Sequence, residues 1–121
     1  MFNKDNRVVI EFNAVANNYW AWMYVLALPS NTDTTTNLWM VTLSSSYDSR
    51  LGKINVTYFP YNTSFASVKL VKDGTTLTVY VNDVLKGTAT DVDLTDYPCF
   101  ALDGSYKYYI KNIRIKPYSE V

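Results

Sequence analysis

The chain has 121 residues, of which 48% are hydrophobic and 16% aromatic, and its 11 basic residues balance its 11 acidic residues. This composition predicts one globular domain over residues 1–121, or a domain excised from a longer surface protein. The basic residues are scattered, which argues against nucleic-acid binding. The longest apolar run, AWMYVLAL, is too short to cross a bilayer as a helix, so membrane insertion is not expected. The single Cys99 excludes an internal disulfide, and its apolar neighbours favour a buried thiol.

Short runs of alternating apolar and polar residues recur along the first half of the chain, which is typical of β-strands. Arg7–Val15 is the first predicted strand, and Tyr19–Leu28 is the second, ended by Pro29. The stretch SNTDTTTN at residues 30–37 is rich in turn formers and predicts an exposed hairpin loop. Leu38–Ser44 is the predicted return strand, with Trp39, Val41 and Leu43 sharing one face.

The second half of the chain contains more short segments of this kind, each bounded by turn residues. They are Lys53–Phe59, Ser67–Lys72, Thr76–Asn82, Val84–Thr88, Cys99–Leu102 and Tyr106–Lys116. The most distinct hairpin is centred on Asp73–Gly74, because an Asp-Gly pair supplies the positive φ that a tight turn needs. Eight or nine short strands with regular turns predict a β-sandwich or a barrel.

Two segments carry a resemblance to a known superfamily. VKLVKDGTTLTVYVNDVLKGT, residues 68–88, resembles the central hairpin of the concanavalin A-like lectin and glucanase superfamily, which includes laminin G-like jelly rolls. YYIKNIRIKPY, residues 108–118, is similar to the closing strand of that superfamily, which usually runs beside the first strand. The resemblance covers about half of the chain and implies an all-β fold, an antiparallel jelly-roll β-sandwich of two sheets.

The residues needed for catalysis are missing from the sequence. The Glu-x-Asp-x-x-Glu pattern of the glucanases in this superfamily does not occur, and the only glutamates are Glu11 and Glu120. The chain contains no histidine, which excludes Ser-His-Asp, Cys-His and histidine-ligated zinc chemistry. The sequence therefore predicts that the protein is not an enzyme.

The stretch NNYWAWMYVLAL, residues 17–28, places Trp20, Trp22 and Tyr24 on alternate positions of one predicted strand face. Large aromatic side chains are common core residues, and the energy of burying two tryptophans favours the core for at least part of this set. The alternative is that the smaller residues between them, Ala21 to Ala27, face inward. The aromatic set would then form a platform on which sugar rings stack.

Five residues make up the predicted sugar-binding set on the second interpretation. They are Asn18, Trp20, Trp22, Tyr24 and Trp39. In this set the tryptophan and tyrosine rings would stack on apolar sugar faces, and the amide of Asn18 would bind hydroxyl groups. Trp39 belongs to the set because its strand raises the same question of inward or outward orientation.

No cofactor is expected, although the acidic stretch TDVDLTD provides a weaker hypothesis. Asp91, Asp93 and Asp96 could supply oxygen ligands for calcium, but the spacing is not that of an EF-hand. The simpler interpretation is a solvated loop that Val92 and Leu94 attach to the core. The triplets beginning at Asn55 and Asn62 match the N-glycosylation pattern, which indicates a surface context.

These features together predict a non-catalytic carbohydrate-binding or adhesion module of a secreted or surface protein. The expected location is extracellular, on a cell surface or on a virion. The alternative is a structural domain whose faces bind protein subunits of a virion or cell-surface assembly. On that alternative the sandwich faces bind protein subunits and no sugar. A glycoside hydrolase is a third hypothesis, kept only because the fold that the resemblance implies also hosts such enzymes.

Overall fold

The computed structural model describes residues 2–33, 35–46, 52–104 and 108–117. Within these ranges the chain forms nine β-strands: β1 Arg7–Ala16, β2 Trp22–Leu28, β3 Leu38–Ser44, β4 Ile54–Val56, β5 Ala66–Asp73, β6 Thr76–Val81, β7 Val84–Ala89, β8 Cys99–Gly104 and β9 Tyr108–Pro117. They form a five-stranded sheet in the order β7-β6-β5-β1-β9 and a four-stranded sheet in the order β4-β3-β2-β8. The all-β sandwich of two sheets that the sequence predicts is confirmed.

The core lies between the two sheets and follows from strand periodicity. Successive side chains of a strand point to opposite faces, so the apolar positions of β1 fall on one side, and Val8, Ile10 and Phe12 are all buried. The β5–β6 hairpin turns at Gly74, whose φ of 61° lies in the left-handed region. Its register places Leu70 opposite Val79, and both residues are in the core.

Most strand pairs are antiparallel, and the closing strand lies where the resemblance places it. β9 pairs with β1 along its length, which joins the two ends of the described chain in one sheet. One pair departs from the antiparallel pattern, since β3 and β4 run parallel, with Val41 opposite Ile54. No helix in the described ranges is long and apolar enough to span a membrane.

Three strand details differ from the sequence predictions. β2 begins at Trp22 rather than at Tyr19, because residues 17–20 form a turn that carries the chain from one sheet to the other. β4 stops at Val56, two residues before Tyr58, whose positive φ of 58° ends the extended conformation. Cys99 is a free cysteine of intermediate exposure, so the prediction of a buried thiol is wrong. It lies in β8, an edge strand, where only one neighbouring strand covers it.

β3 contains a bulge that interrupts its alternation. Val25 pairs with Val41 while the next residue, Leu26, pairs with Trp39, which leaves Met40 as the additional residue. Met40 and Val41 are both fully buried in consequence. The prediction that Trp39 shares a face with Val41 is therefore wrong, because the bulge changes the side on which Trp39 lies.

A charged cluster closes the end of the sandwich at which β1 begins. Lys72 is 2% exposed, and its Nζ donates hydrogen bonds to the Asn6 carbonyl, the Asn6 Oδ1 and the Gly74 carbonyl at 2.7–2.8 Å. Burial lowers the pKa of this ammonium from its ordinary value. Beside it, Arg7 Nε donates to Asp73 Oδ1 at 2.7 Å, and this hydrogen bond lowers the pKa of the Asp73 carboxyl.

This cluster predicts a loss of stability in acid. A carboxyl whose pKa is lower in the folded state stabilises the protein above its unfolded pKa, and that contribution is lost as the pH falls through the folded value. We expect the thermal unfolding midpoint to decrease as the pH is lowered from about 5 to about 2. In Asp73→Asn this decrease should be smaller. Asp96→Asn, at an exposed position in the loop before β8, is the matched control. If the unfolding midpoint of Asp73→Asn depended on pH as strongly as that of the wild type, the stabilising role of the Arg7–Asp73 pair would be contradicted.

Candidate functional site

The aromatic stripe of the second strand faces away from the core. Met23, Val25 and Ala27 belong to the buried cluster between the sheets, so Trp22 and Tyr24 lie on the outer face of the four-stranded sheet. The sequence analysis favoured the core for part of this stripe, and the structure supports the alternative interpretation. The core space opposite β2 is already occupied by side chains of the five-stranded sheet, so the smaller set fits inward.

The outer face of β2 nevertheless does not form an open platform. Tyr24 is 8% exposed because its ring stacks on Trp39, with the ring centroids 4.6 Å apart and the planes 14° from parallel. Trp22 is half-buried at the start of the strand. The structure thus brings Tyr24 and Trp39 together as predicted, but it buries most of the surface that a sugar would contact.

Trp20 and Asn18 lie outside the strand, in the turn between β1 and β2. The backbone N–H of Trp20 donates to Asn18 Oδ1 at 2.8 Å, and the backbone N–H of Ala21 donates to the Asn18 carbonyl at 3.1 Å. Asn18 therefore shapes the turn with the amide oxygen that was expected to bind hydroxyl groups. The turn leaves the Trp20 side chain 61% exposed, a large exposure for an indole.

Every exposed aromatic side chain of the described residues lies at the end of the sandwich where β1 finishes. We call this surface the aromatic end, and it consists of Tyr19, Trp20, Tyr58, Tyr61, Phe65 and Tyr109. Three chain segments supply it: the β1–β2 turn, the loop from β4 to β5, and the start of β9. They meet because Tyr61 forms a bridge with Ala16, the last residue of β1, and Tyr109 pairs with Val15.

Three rings of the aromatic end, those of Tyr19, Trp20 and Tyr61, form a chain of contacts. Tyr19 packs edge-on against Trp20 at a centroid distance of 4.9 Å and against Tyr61 at 5.4 Å. Lys111 Nζ lies 4.1 Å from the centroid of the Phe65 ring, within the range of a cation–π interaction. These contacts restrain Tyr19, Trp20, Tyr61 and Phe65 while leaving large parts of their rings open to solvent.

The loop from β4 to β5 is held by one buried aromatic residue and two strained positions. Phe59 is 1% exposed, and its N–H donates to the Ser44 carbonyl at 2.6 Å. Tyr58 and Asn62 on either side of it have positive φ values of 58° and 50°, which non-glycine residues adopt at a cost. Strain of this kind persists where the surrounding structure fixes the conformation, and here it turns Tyr58 and Tyr61 outward.

The predicted calcium ligands are not assembled. Val92 and Leu94 are buried, which confirms that they attach the loop to the core. The Asp93 Oδ1 accepts hydrogen bonds from the Thr95 hydroxyl and N–H, and these lower the pKa of its carboxyl. Across the described ranges, Asp91, Asp93 and Asp96 included, no three acidic, cysteine or histidine side chains are placed to hold a metal.

Two further carboxyl groups of the described chain, those of Glu11 and Asp33, have structural partners. Glu11 lies on the outer face of β1, 3.5 Å from the ammonium of Lys116. Hydrogen bonds from the backbone and side chains of Thr35 and Thr36 lower the pKa of Asp33. A carboxyl held in its charged form is a poor general acid at neutral pH. Burial raises the pKa of Tyr108, whose hydroxyl donates to the Leu43 carbonyl at 2.9 Å, so this phenol is a poor general base. Glu120 lies outside the described residues.

Sequence reasoning found Trp20 but did not identify most of the aromatic end. Tyr19, Tyr58, Tyr61, Phe65 and Tyr109 come from segments far apart in the chain. The signal available was the motif TYFPYNTSF at residues 57–65, where aromatic residues alternate with turn formers and cannot all face one core. That these segments lie at the same end of the sandwich as Trp20 follows only from the pairing of β1 with β5 and β9 and from the bridge between Ala16 and Tyr61.

Solved structures with a similar fold include a carbohydrate-binding module and a lyase. The module, CBM66 from Bacillus subtilis, aligns with a TM-score of 0.59 at 10% identity, over 93% of this chain and 76% of that chain. The alginate lyase from Corynebacterium sp. aligns with a TM-score of 0.54 at 12% identity, over 96% of this chain and 61% of that chain. No protein-family model and no curated protein matches the sequence.

At such identities the likeness establishes the fold. The two-sheet sandwich that these structures share with the domain is the fold that the segments at residues 68–88 and 108–118 implied. Fold alone does not define a ligand, since one architecture can serve both binding modules and enzymes.

Proposed function

We propose that this domain is a non-catalytic carbohydrate-binding module of a secreted or surface protein, and that the aromatic end is its glycan-binding site. The observation that carries the proposal is the collection of all six exposed aromatic side chains of the described residues at one end of the sandwich. Exposed aromatic patches of this kind mark binding sites, since a monomer gains nothing from leaving them in water.

Carbohydrate is the ligand class that this chemistry fits. Sugar rings present faces of C–H bonds that stack on Trp and Tyr rings, and the Tyr hydroxyl groups provide polar contacts beside each face. The exposed Asn62, Thr63 and Ser64 lie in the same loop as Tyr58 and Tyr61 and add hydrogen-bonding groups. The similar fold of CBM66, a carbohydrate-binding module, supports the proposal.

Affinity electrophoresis on a panel of neutral and acidic polysaccharides tests this function. We expect at least one polymer to retard the domain and to change its tryptophan fluorescence, because Trp20 would pass from water to contact with a sugar. A folded domain that no polymer retards would overturn the proposal. A stable oligomer in light scattering, combined with the absence of retardation, would support the alternative of a protein-binding structural domain.

The lyase fold makes catalysis the second function to test. We expect no release of unsaturated sugar from alginate, measured by ultraviolet absorbance, because the chain contains no histidine and burial raises the pKa of Tyr108, whose hydroxyl donates to the Leu43 carbonyl. A control lyase in the same buffer verifies the assay. Product formation by the purified domain would contradict the non-catalytic assignment.

A further inference from the structure

A cleft separate from the aromatic end opens on the four-stranded sheet, at the start of β3. Its volume is about 550 Å³, and its walls include Asn37, Leu38, Trp39, Gly52 and Lys53. Pockets for small ligands have volumes of roughly 300–1,000 Å³, so the space is sufficient for one or two sugar rings. None of the six residues of the aromatic end lines this cleft.

Trp39 provides a rigid aromatic wall. Its ring stacks on that of Tyr24, which is itself almost fully buried in the outer face of β2. One face of the indole is therefore occupied by Tyr24, and this contact fixes the orientation of the remainder of the ring at the cleft. A sugar that binds here meets a ring that does not need to be ordered first.

The opposite wall is tied to β3 at two points. The Lys53 N–H donates to the Trp39 carbonyl at 3.1 Å. Gly52 lies so close to β3 that a Cβ atom there would be 3.0 Å from Thr42 Oγ1 and 3.1 Å from the Ile54 carbonyl oxygen. A side chain at position 52 would push this wall outward, so the glycine keeps the cleft in its observed shape.

The polar groups of the cleft favour a negatively charged ligand. Lys53 is exposed and supplies a cation, and Asn37 supplies an amide, whereas none of the described residues that line the cleft is acidic. Within the described chain no ion pair occupies the Lys53 ammonium. An indole face beside a cation matches a sugar ring with an anionic substituent, because the ring can stack while its charged group meets the ammonium.

From this geometry we propose that the cleft beside Trp39 is a second binding site, which takes a sugar residue bearing a carboxylate or a sulfate group. The site shares no residue with the aromatic end, so a negative result at one of the two sites would not count against the other. A domain with both sites would bind a polysaccharide chain through two contacts, which raises its avidity for polymers over short oligosaccharides.

Titration of isotopically labelled protein with glucuronate, galactose 6-sulfate and glucose, followed by nuclear magnetic resonance, tests the proposal. We expect both acidic sugars to shift the Trp39 indole N–H signal, with an affinity about fivefold or more above that for glucose, because a charge-assisted hydrogen bond is added. A response to one acidic sugar only would identify whether the carboxylate or the sulfate is recognised. A shift at Trp20 alone would overturn the second site.

Lys53→Met is the decisive variant. It removes the positive charge at an exposed position and leaves the stacked rings of Tyr24 and Trp39 unchanged. It should abolish the preference for acidic sugars, whereas Lys69→Met, on the outer face of the other sheet, should retain it. Trp20→Ala should leave the Trp39 response unchanged. Retention of the acidic preference in Lys53→Met would contradict the proposed role of the ammonium, and added salt should weaken binding of the acidic sugars by the wild-type protein.

Discussion

Trp20→Ala is expected to weaken glycan binding at the aromatic end by roughly thirtyfold, which corresponds to about 2 kcal/mol for a central aromatic contact. The indole is 61% exposed and contacts mainly Tyr19, so little core packing is lost on truncation. The thermal unfolding midpoint should therefore remain close to that of the wild type. Affinity electrophoresis and calorimetric titration with the polymer found in the panel measure the two effects separately.

Two companion variants sharpen this prediction. Trp20→Phe keeps an aromatic face and should retain part of the affinity, while Tyr80→Ala removes a partly exposed aromatic ring from the outer face of the five-stranded sheet and should bind normally. Equal losses in Trp20→Ala and Tyr80→Ala would show that the effect is not local to the aromatic end. Normal binding by Trp20→Ala would exclude the indole from the site.

Phe59→Ala is expected to cost about 3–5 kcal/mol of stability, the usual range for removing a buried aromatic side chain. Phe59 is the largest side chain among those that are almost completely buried, and its ring lies 6.1 Å from that of Tyr108. A domain of this size is stable by about 5–15 kcal/mol, so the loss is a large part of the total. Denaturant unfolding measures this loss of unfolding free energy, provided that the wild type and the variant show the same dependence of that free energy on denaturant concentration.

Phe65→Ala is the matched control, because it removes the same side chain from the same loop at a position that is 39% exposed. It should cost about 1 kcal/mol or less, through the lost contact with Lys111. We also expect Phe59→Ala to weaken glycan binding even where the domain is folded, since Phe59 anchors the loop that carries Tyr58 and Tyr61. Similar losses of stability in the two variants would contradict the anchoring role of Phe59.

The strands were predictable because alternation in the sequence reports directly on burial. In β5 and β6, Val68, Leu70 and Val79 alternate with polar residues, and the Asp-Gly turn fixes their register, so strand, hairpin and core face all follow from local chemistry. β2 offered no such contrast, because both of its faces are apolar. Its orientation was decided by which side chains fit between the two sheets.

The position of Trp39 shows the same limit. Strict alternation would place Trp39 on the same face of the sheet as Val41, which is the core face. The bulge at Met40 instead places Trp39 on the outer face, where its ring stacks on that of Tyr24. A bulge arises from pairing with a neighbouring strand, so the sequence of β3 alone contains no signal for it.

The sequence by itself thus predicted an all-β fold, its principal hairpin and its resemblance to concanavalin A-like jelly rolls, and the absence of histidine from these 121 residues excludes histidine-dependent chemistry within them. Those properties depend on composition and on contacts between residues that are close in the chain. The tertiary structure decided that Trp20 lies in a turn and packs against Tyr19, which also contacts Tyr61, and that Trp39 lines a cleft with Lys53. Both surfaces are built from segments that only strand pairing across the sheets brings together, and periodicity along one strand carries no information about such pairing.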